Sequence, residues 1–424
     1  MITDVLRKVL LGKKEKFVFE RYREGLIDFN CIDSEIGLYI HIPFCRSLCP
    51  YCPYNKTLYK KEKAKHYKEA LIKELNLYQT SLHSRKAASI YFGGGTPTLL
   101  MDEIRAVLGF IKDTYSFKGD IGIEIHPKEV STHLLKELKE LGVNLVSLGV
   151  QTFKEETLHF LGRGYGAREA EAAIKLMKEY DFQCIDIDIM TNLPEQSLDD
   201  IERDLRKVYS YGVDQVSIYP LIIFPMTKMD CIVKERGLSR FSELEEKTIL
   251  QRIDGISKEA GYESSSIWTY SKDKKNRYTS VTRESFIGFG AGASSHFGHY
   301  FYLNTFDVDT YISSLEENRL PINIVNQMTA KEKMIFWIFW RCYEGVIDGE
   351  RFYQLFQREM KREFRLLFTL LRILRMARKE GEQYILTQWG RFAYHFVEKQ
   401  YSIYYLNQLW HRSMEQPWIE KVEI

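Results

Sequence analysis

From residue 37 the chain alternates short apolar runs with amphipathic segments. The apolar runs predict strands over 37–42, 89–92, 121–125, 145–150, 184–190 and 215–219. Between them, apolar positions at helical spacing predict helices over 61–80, 101–114, 131–141, 167–180 and 198–211. Strand and helix in regular alternation imply an α/β fold with a parallel sheet covered by helices. The run Ile185-Asp186-Ile187-Asp188-Ile189 reads as a strand buried on both faces.

Beyond about residue 225 the pattern changes. A long helix is expected over 241–260, followed by a glycine-rich apolar stretch over 284–297 that suits close approach to another element or a ligand. Residues 319–327 read as a linker. Residues 328–424 read as mostly helical, with a strand near 383–386. The expected organisation is an N-terminal helical extension over 1–36, a partial (βα)6 barrel with its extension over 37–320, and a smaller helical domain over 328–424. Residues 1–17 read as an amphipathic helix and lack the apolar run of a signal peptide.

Composition narrows the class. Sixty basic against 58 acidic residues leave a formal net charge of +2, which calls for no polyanionic partner, so nucleic acid is not expected. No apolar stretch approaches a membrane span. Seven cysteines, three of them within eight residues, point to metal ligation in a reducing, cytoplasmic setting and not to a disulfide framework.

Chemistry in parallel sheets collects at the C-terminal strand ends. The polar punctuation falls there. The first strand runs into a loop reading Cys45-Arg-Ser-Leu-Cys49-Pro-Tyr-Cys52. The second ends in Gly93-Gly94-Gly95-Thr96-Pro97, the third carries Glu124, the fourth is followed by Gln151, and the fifth carries Asp188. Three soft thiolates on one loop suit three irons of a cubane and leave the fourth iron without a protein ligand. Structural zinc would want four ligands. The glycine run is not a phosphate loop, because no Gly-Lys-Ser/Thr follows. His41, His126, His296 and His299 near the rim read as surface or core histidines before catalytic ones.

The Cys-x3-Cys-x2-Cys spacing resembles the signature of radical S-adenosylmethionine enzymes. The flanks Tyr39-Ile-His-Ile-Pro-Phe-Cys45, Gly93 to Pro97, Leu148-Gly-Val-Gln151, Ile185 to Pro194 and Ile287 to Ser295 resemble its oxygen-independent coproporphyrinogen III oxidase branch, in register from about residue 35 to 310. The resemblance implies a 4Fe–4S cluster on Cys45, Cys49 and Cys52. It implies S-adenosylmethionine beside Tyr39, Tyr51, Gly94, Gly95, Thr96, Glu124, Gln151, Arg163 and Asp188, with a ribose contact for Asp188. The function implied is formation of a 5′-deoxyadenosyl radical for oxidative decarboxylation of a tetrapyrrole, fed by an electron donor such as flavodoxin or ferredoxin. The tyrosines and the basic residues of 272–283 are then candidates for facing substrate carboxylates. Asp186 shares a face with Asp188, and the pattern does not separate their roles.

Two departures stand out. Asn55 and Lys56 are kept, but Tyr54 stands where the oxidases commonly carry a further cysteine. The His-Asn-x-x-Tyr-Trp motif of the heme-chaperone relatives is absent. Class C radical methyltransferases and anaerobic heme-degrading enzymes, which use a second S-adenosylmethionine, share the same core, so methyl transfer stands as an alternative beside a heme carrier. A fourth reading makes 328–424 a winged-helix-like module with a basic face of Lys361, Arg362, Arg365, Arg372 and Arg375, for which a solvated helix face is the plainer account.

Overall fold

The computed structural model describes residues 16–273 and 284–424. Its main sheet has 14 strands: β1 Val18–Arg21, β2 Glu35–Ile42, β3 Lys86–Gly94, β4 Ser116–Ile125, β5 Leu145–Gln151, β6 Cys184–Thr191, β7 Gln215–Pro220, β8 Glu263–Ser264, β9 Thr269–Ser271, β10 Phe286–Phe289, β11 Ser294–Phe297, β12 Tyr300–Asn304, β13 Ile322–Gln327 and β14 Lys421–Glu423. Their order is β8-β9-β7-β6-β5-β4-β3-β2-β10-β11-β12-β13-β1-β14. Strands β2 to β7 lie in sequential order and pair in parallel, and β10 joins β2 in parallel on the other side. The remaining pairs are antiparallel.

The crossover helices are α1 Lys61–Leu77, α2 Met101–Thr114, α3 Thr132–Glu140, α4 Ala167–Lys178 and α5 Leu198–Ser210. Each starts or ends within a few residues of its expected position. Ser131 caps α3 and Ser197 caps α5, satisfying backbone N–H groups that the first turn leaves unpaired. Their apolar faces, such as Leu134, Leu135 and Leu138 or Ile201, Leu205 and Val208, pack on the outside of the sheet.

Period-two alternation sorts the strand side chains. Ile185, Ile187 and Ile189 of β6 join the helix-facing core, whereas Asp186 and Asp188 turn to the opposite face. The inner face is therefore different in kind. Its floor is a separate small apolar cluster of Tyr91, Leu145 and Cys184 with Tyr39 against it. Above the floor stand Glu124, Ser147, Asp186, Asp188, Ser217 and Tyr219.

Helix α6 Glu243–Glu259 begins at Ser242, as its pattern implies. The C-terminal part contains α7 Ala330–Glu344, α8 Arg365–Ile373, α9 Gln388–Tyr401 and α10 Asn407–Glu415, with a three-stranded sheet of Val346–Asp348, Gln383–Leu386 and Ala377–Glu380. Its core residues Phe352, Phe364 and Phe368 belong to the same apolar cluster as the barrel. In the expected basic face, Lys361 pairs with Glu382 and Arg362 with Glu359. The outward face of α8 carries Leu366, Leu370 and Ile373, and Leu374 caps its end, all exposed. Among the described residues no helix is long and apolar enough to cross a membrane.

Two expectations are corrected. The linker over 319–327 contains β13, with Ile324 and Val325 buried. The described part of the N-terminal helical extension holds a strand: β1 is wedged between β13 and β14 with Phe19 buried, and only a short 3-10 turn, Phe29–Cys31, follows. The pairing partners of these short segments lie far along the chain, where periodicity does not reach. The helix expected over 1–17 lies almost entirely outside the described residues.

Candidate functional site

The three clustered cysteines lie on the loop that leaves β2 and returns to α1. All three are free and half-buried. The loop is held from several sides. The Lys56 ammonium donates to the Cys52 carbonyl. Asn55 Nδ2 donates to the carbonyls of Ala291 at 3.0 Å and Phe306 at 2.8 Å. Arg46 forks onto Glu129 at 2.8 and 3.2 Å. The glycine-rich stretch over 284–297 thus serves as a close-packed backbone floor under the loop.

The end of β3 passes directly beneath the thiols. Gly95 N–H donates to Ile42 O at 2.7 Å and Thr96 N–H to Phe44 O at 2.8 Å. A Cβ on Gly95 would lie 2.8 Å from Cys45 Sγ, and one on Gly94, whose φ is +118°, would lie 2.7 Å from the His41 ring. Side chains are excluded at both positions, and the backbone takes their place. Thr96 Oγ1 lies 3.9 Å from Cys45 Sγ.

Glu124 faces the lumen from β4. Its Oε1 accepts from Tyr91 Oη at 2.8 Å and its Oε2 from Gly94 N–H at 3.2 Å. Burial raises its pKa, against these two hydrogen bonds. On the next strand, Ser147 Oγ donates to Asp188 Oδ2 at 3.1 Å. Burial, then the neighbouring Asp186 and Glu124 carboxylates, push Asp188 well above the usual carboxylate range. The two aspartates separate clearly: Asp186 is 1% exposed and accepts from Ser217 Oγ at 3.0 and 2.9 Å, whereas Asp188 is only half-buried.

Arg163 reaches in from the loop before α4. It donates through Nη2 to Gly149 O at 2.8 Å, through Nε to Tyr165 Oη at 3.0 Å, and through Nη1 toward Tyr51 Oη at 3.4 Å and Cys49 Sγ at 3.6 Å. Gln151 adopts φ 73° at the end of β5, where the pairing with β6 shifts register between Gly149 and Gln151. That left-handed residue and its bulge turn the strand end toward the rim.

The expected site residues therefore converge. Tyr39 stacks 5.9 Å from Tyr91, bonds to His41 Nδ1 at 2.8 Å, and closes on the same space over Gly93 as Tyr91 and Glu124. Three contributors went unread in the sequence: Tyr91, Ser147 and Tyr165. The first two lie on the same faces of their strands as Gly93 and Gly149, a period-two signal that was available. Of the rim histidines, His41 is 4% exposed with both ring nitrogens engaged, His126 accepts from Lys128 N–H at 3.3 Å, His296 Nδ1 lies 3.1 Å from Tyr300 O, and His299 is exposed.

Among the described residues no three Cys, His or carboxylate groups close on a point fit for a single metal ion. A cubane does not require that, since its irons sit at separate corners and each thiolate needs only one of them. The donor set suits it: three soft sulfurs on one anchored loop, with Cys184 in the barrel floor and Cys31 and Cys231 exposed elsewhere. Burial pushes the Cys45 thiol up to about 11, so bound iron would have to displace its proton.

The Radical SAM superfamily pattern matches residues 39–208, the span that builds this rim. The heme chaperone HemW of Bacillus subtilis is 29% identical over 70% of this chain and 80% of its own length. The oxygen-independent coproporphyrinogen III oxidase of Pseudomonas aeruginosa is 28% identical over 70% of this chain and 69% of its own. The solved structure of coproporphyrinogen III oxidase (HemN) from Escherichia coli, a radical SAM enzyme, superposes with a TM-score of 0.77 over 91% of this chain and 95% of that one, at 20% identity. The chain belongs to the HemN/HemW-like radical SAM family. As a radical SAM protein it takes a 4Fe–4S cluster and S-adenosylmethionine as cofactors. The expected parallel-barrel fold holds as well.

Proposed function

We propose that this radical SAM protein is an enzyme that oxidatively decarboxylates a tetrapyrrole of the coproporphyrinogen type. The observation that carries the proposal is the convergence of three free thiols, a glycine backbone and two lumen carboxylates on one rim. Cys45, Cys49 and Cys52 hold the cluster, and no fourth cysteine stands among the rim residues described above, so one corner stays open to a small chelate. When bound, the cluster and S-adenosylmethionine would supply one-electron radical chemistry toward a substrate at this rim.

The chain's own residues position and enclose. The backbone of Gly94 and Gly95 would line the chelate, and Glu124, already oriented by Tyr91 and Gly94, would accept from its amino group. Asp188, with Ser147 behind it, is available to a ribose. Arg163 sets a positive charge beside Cys49. The apolar floor under Glu124 keeps water out of the lumen. Lys272, read as a substrate contact, donates instead to Gly212 O at 2.8 Å; 274–283 lies outside the described residues.

A heme carrier is the second reading, supported by the relative named heme chaperone and by Tyr54 at the oxidases' cysteine position. The test is anaerobic reconstitution followed by S-adenosylmethionine, reductant and coproporphyrinogen III. Loss of carbon dioxide with matching 5′-deoxyadenosine supports the proposal. A methyl gain with S-adenosylhomocysteine assigns a methyltransferase, and heme retained without turnover assigns a carrier.

A further inference from the structure

Gln151 stands at the turn that ends β5, and that turn is strained. Thr152 N–H donates to Val150 O at 3.0 Å, which closes a three-residue γ-turn centred on Gln151, whose φ is 73°. Turns of this hand are rare, because a side chain at positive φ crowds its own backbone. Such a conformation persists only where its surroundings hold it. The turn brings the Gln151 side chain back over Gly149: a Cβ added at Gly149 would lie 3.0 Å from Gln151 Nε2 and 3.5 Å from Arg163 Nη2. The amide and the guanidinium thus share the space that Gly149 leaves open.

Groups on both sides hold the turn. Upstream, Tyr165 Oη donates to the Gly149 and Val150 carbonyls at 2.8 Å each, and Arg163 Nη2 donates to Gly149 O at 2.8 Å. Downstream, the holder comes from the helix layer. Asp204 lies on the buried face of α5 with Ile201, Leu205 and Val208, and is 3% exposed. A carboxylate there is costly unless its oxygens find donors. Oδ2 accepts from Thr152 Oγ1 at 2.6 Å, and Oδ1 accepts from Phe153 N–H at 2.9 Å. Thr152 Oγ1 in turn accepts from Lys154 N–H at 3.1 Å, and Lys154 Nζ reaches Asp200 Oδ2, one turn earlier on α5, at 2.8 Å. Asp200 also serves Ser197 and Arg203, whereas both oxygens of Asp204 are engaged by the two residues that follow Gln151.

We infer that Asp204 is a positioning residue for S-adenosylmethionine binding: from behind the sheet it fixes the γ-turn that sets the Gln151 amide beside Arg163. This rests on the reading of Gln151 as a residue of the cofactor rim. Asp204 acts through the turn and not by contact with the cofactor. A carboxylate that only steadied the entry into the short helix Glu155–Phe160 would lower the melting temperature when removed and leave cofactor affinity unchanged.

The test is a double-mutant cycle on the full-length, cluster-reconstituted protein. S-adenosylmethionine is added anaerobically without reductant, so that binding is measured apart from cleavage. Gln151→Ala is expected to weaken binding roughly tenfold. Asp204→Ala should weaken it by about fivefold to tenfold, but by less than about twofold in the Gln151→Ala background, because its effect passes through Gln151. Amide hydrogen exchange at Thr152 and Phe153 should quicken in Asp204→Ala. Thr152→Val removes the hydroxyl and should weaken binding by about threefold to fivefold, whereas Thr152→Ser, which keeps it, should stay within about twofold of wild type. That pair keeps the test decisive should Asp204→Ala fail to fold. Asp204→Ala and Thr152→Val at wild-type affinity, with Gln151→Ala weakened, overturn the positioning role and leave the reading of Gln151 intact. Effects that multiply in the double variant also overturn it, since Asp204 would then act by another route. Gln151→Ala at wild-type affinity overturns the reading of Gln151 and the inference with it.

Discussion

Two buried glutamates divide the molecule. Glu124 belongs to the parallel half of the sheet, and Glu74 to the seam where α1 covers the antiparallel half. Glu74 is fully enclosed and saturated. It accepts from Gly290 N–H at 2.8 Å, Asn304 Nδ2 at 2.7 Å and Tyr311 Oη at 2.5 Å. Glu124 has two such partners and keeps accessible surface toward the lumen. Both carboxylates have raised pKa values for the same first cause, burial. What separates a structural carboxylate from a binding one is therefore the capacity left over, and not the perturbation. Asp186 and Asp188 repeat the contrast two residues apart on one strand.

The largest effect should come from the binding half. Cys49→Ala is expected to abolish the 4Fe–4S cluster and all cleavage of S-adenosylmethionine, read as iron and sulfide content and 5′-deoxyadenosine after anaerobic reconstitution. The unfolding free energy of the metal-free protein should stay within about 1 kcal/mol, since Cys49 is half-buried and fills no core. A full cluster in this variant contradicts the ligand assignment.

Glu74→Ala should do the reverse. It leaves a backbone N–H, an amide and a phenol without their acceptor, at a cost of about 3–5 kcal/mol in urea unfolding. A cost below about 1 kcal/mol would remove the distinction drawn between the two glutamates.

The third test sharpens the same point through pH. Glu74 is raised to about 7, above its unfolded value, so the folded state holds the proton more tightly. Its contribution is fully present below the unfolded pKa and is lost as pH rises through about 7. Glu74→Gln cannot lose a proton, so the stability difference between variant and wild type should shift by about 2–3 kcal/mol in the variant's favour between pH 4.5 and pH 8. A flat difference across that window would mean that Glu74 does not titrate there.

The smallest expected change is Glu124→Gln, which keeps the shape and removes the charge. Binding of S-adenosylmethionine to the reconstituted protein should weaken roughly tenfold, with stability unchanged within about 1 kcal/mol. Unchanged affinity would return Glu124 to the structural class beside Glu74.

The parallel strands and their helices were legible because each is long enough to display a period, and because isoleucine and valine mark the helix-facing positions. The antiparallel half was not. Strands such as Phe286–Phe289 and Ser294–Phe297 are four residues long and gain their identity from neighbours distant in sequence. The thiol loop and glycine run were readable from spacing alone. Gln151 was marked by its place just past a strand, whereas Arg163 was reachable only through the family resemblance. A positive φ in a glutamine and a guanidinium that crosses from one loop to another leave no local mark. Tyr39, named from the family resemblance, shares its strand face with His41 and packs against Tyr91.

The pairing of β2 with β10 bears on how the protein is made. Gly37 aligns with Phe286, so the strand that launches the thiol loop gains its second neighbour only after most of the polypeptide has left the ribosome. Until then the Asn55 anchor has no Ala291 or Phe306 carbonyl to grasp. The thiol loop is therefore fully anchored only once residues through Phe306 have joined the fold, a condition that the sequence around the cysteines does not itself supply.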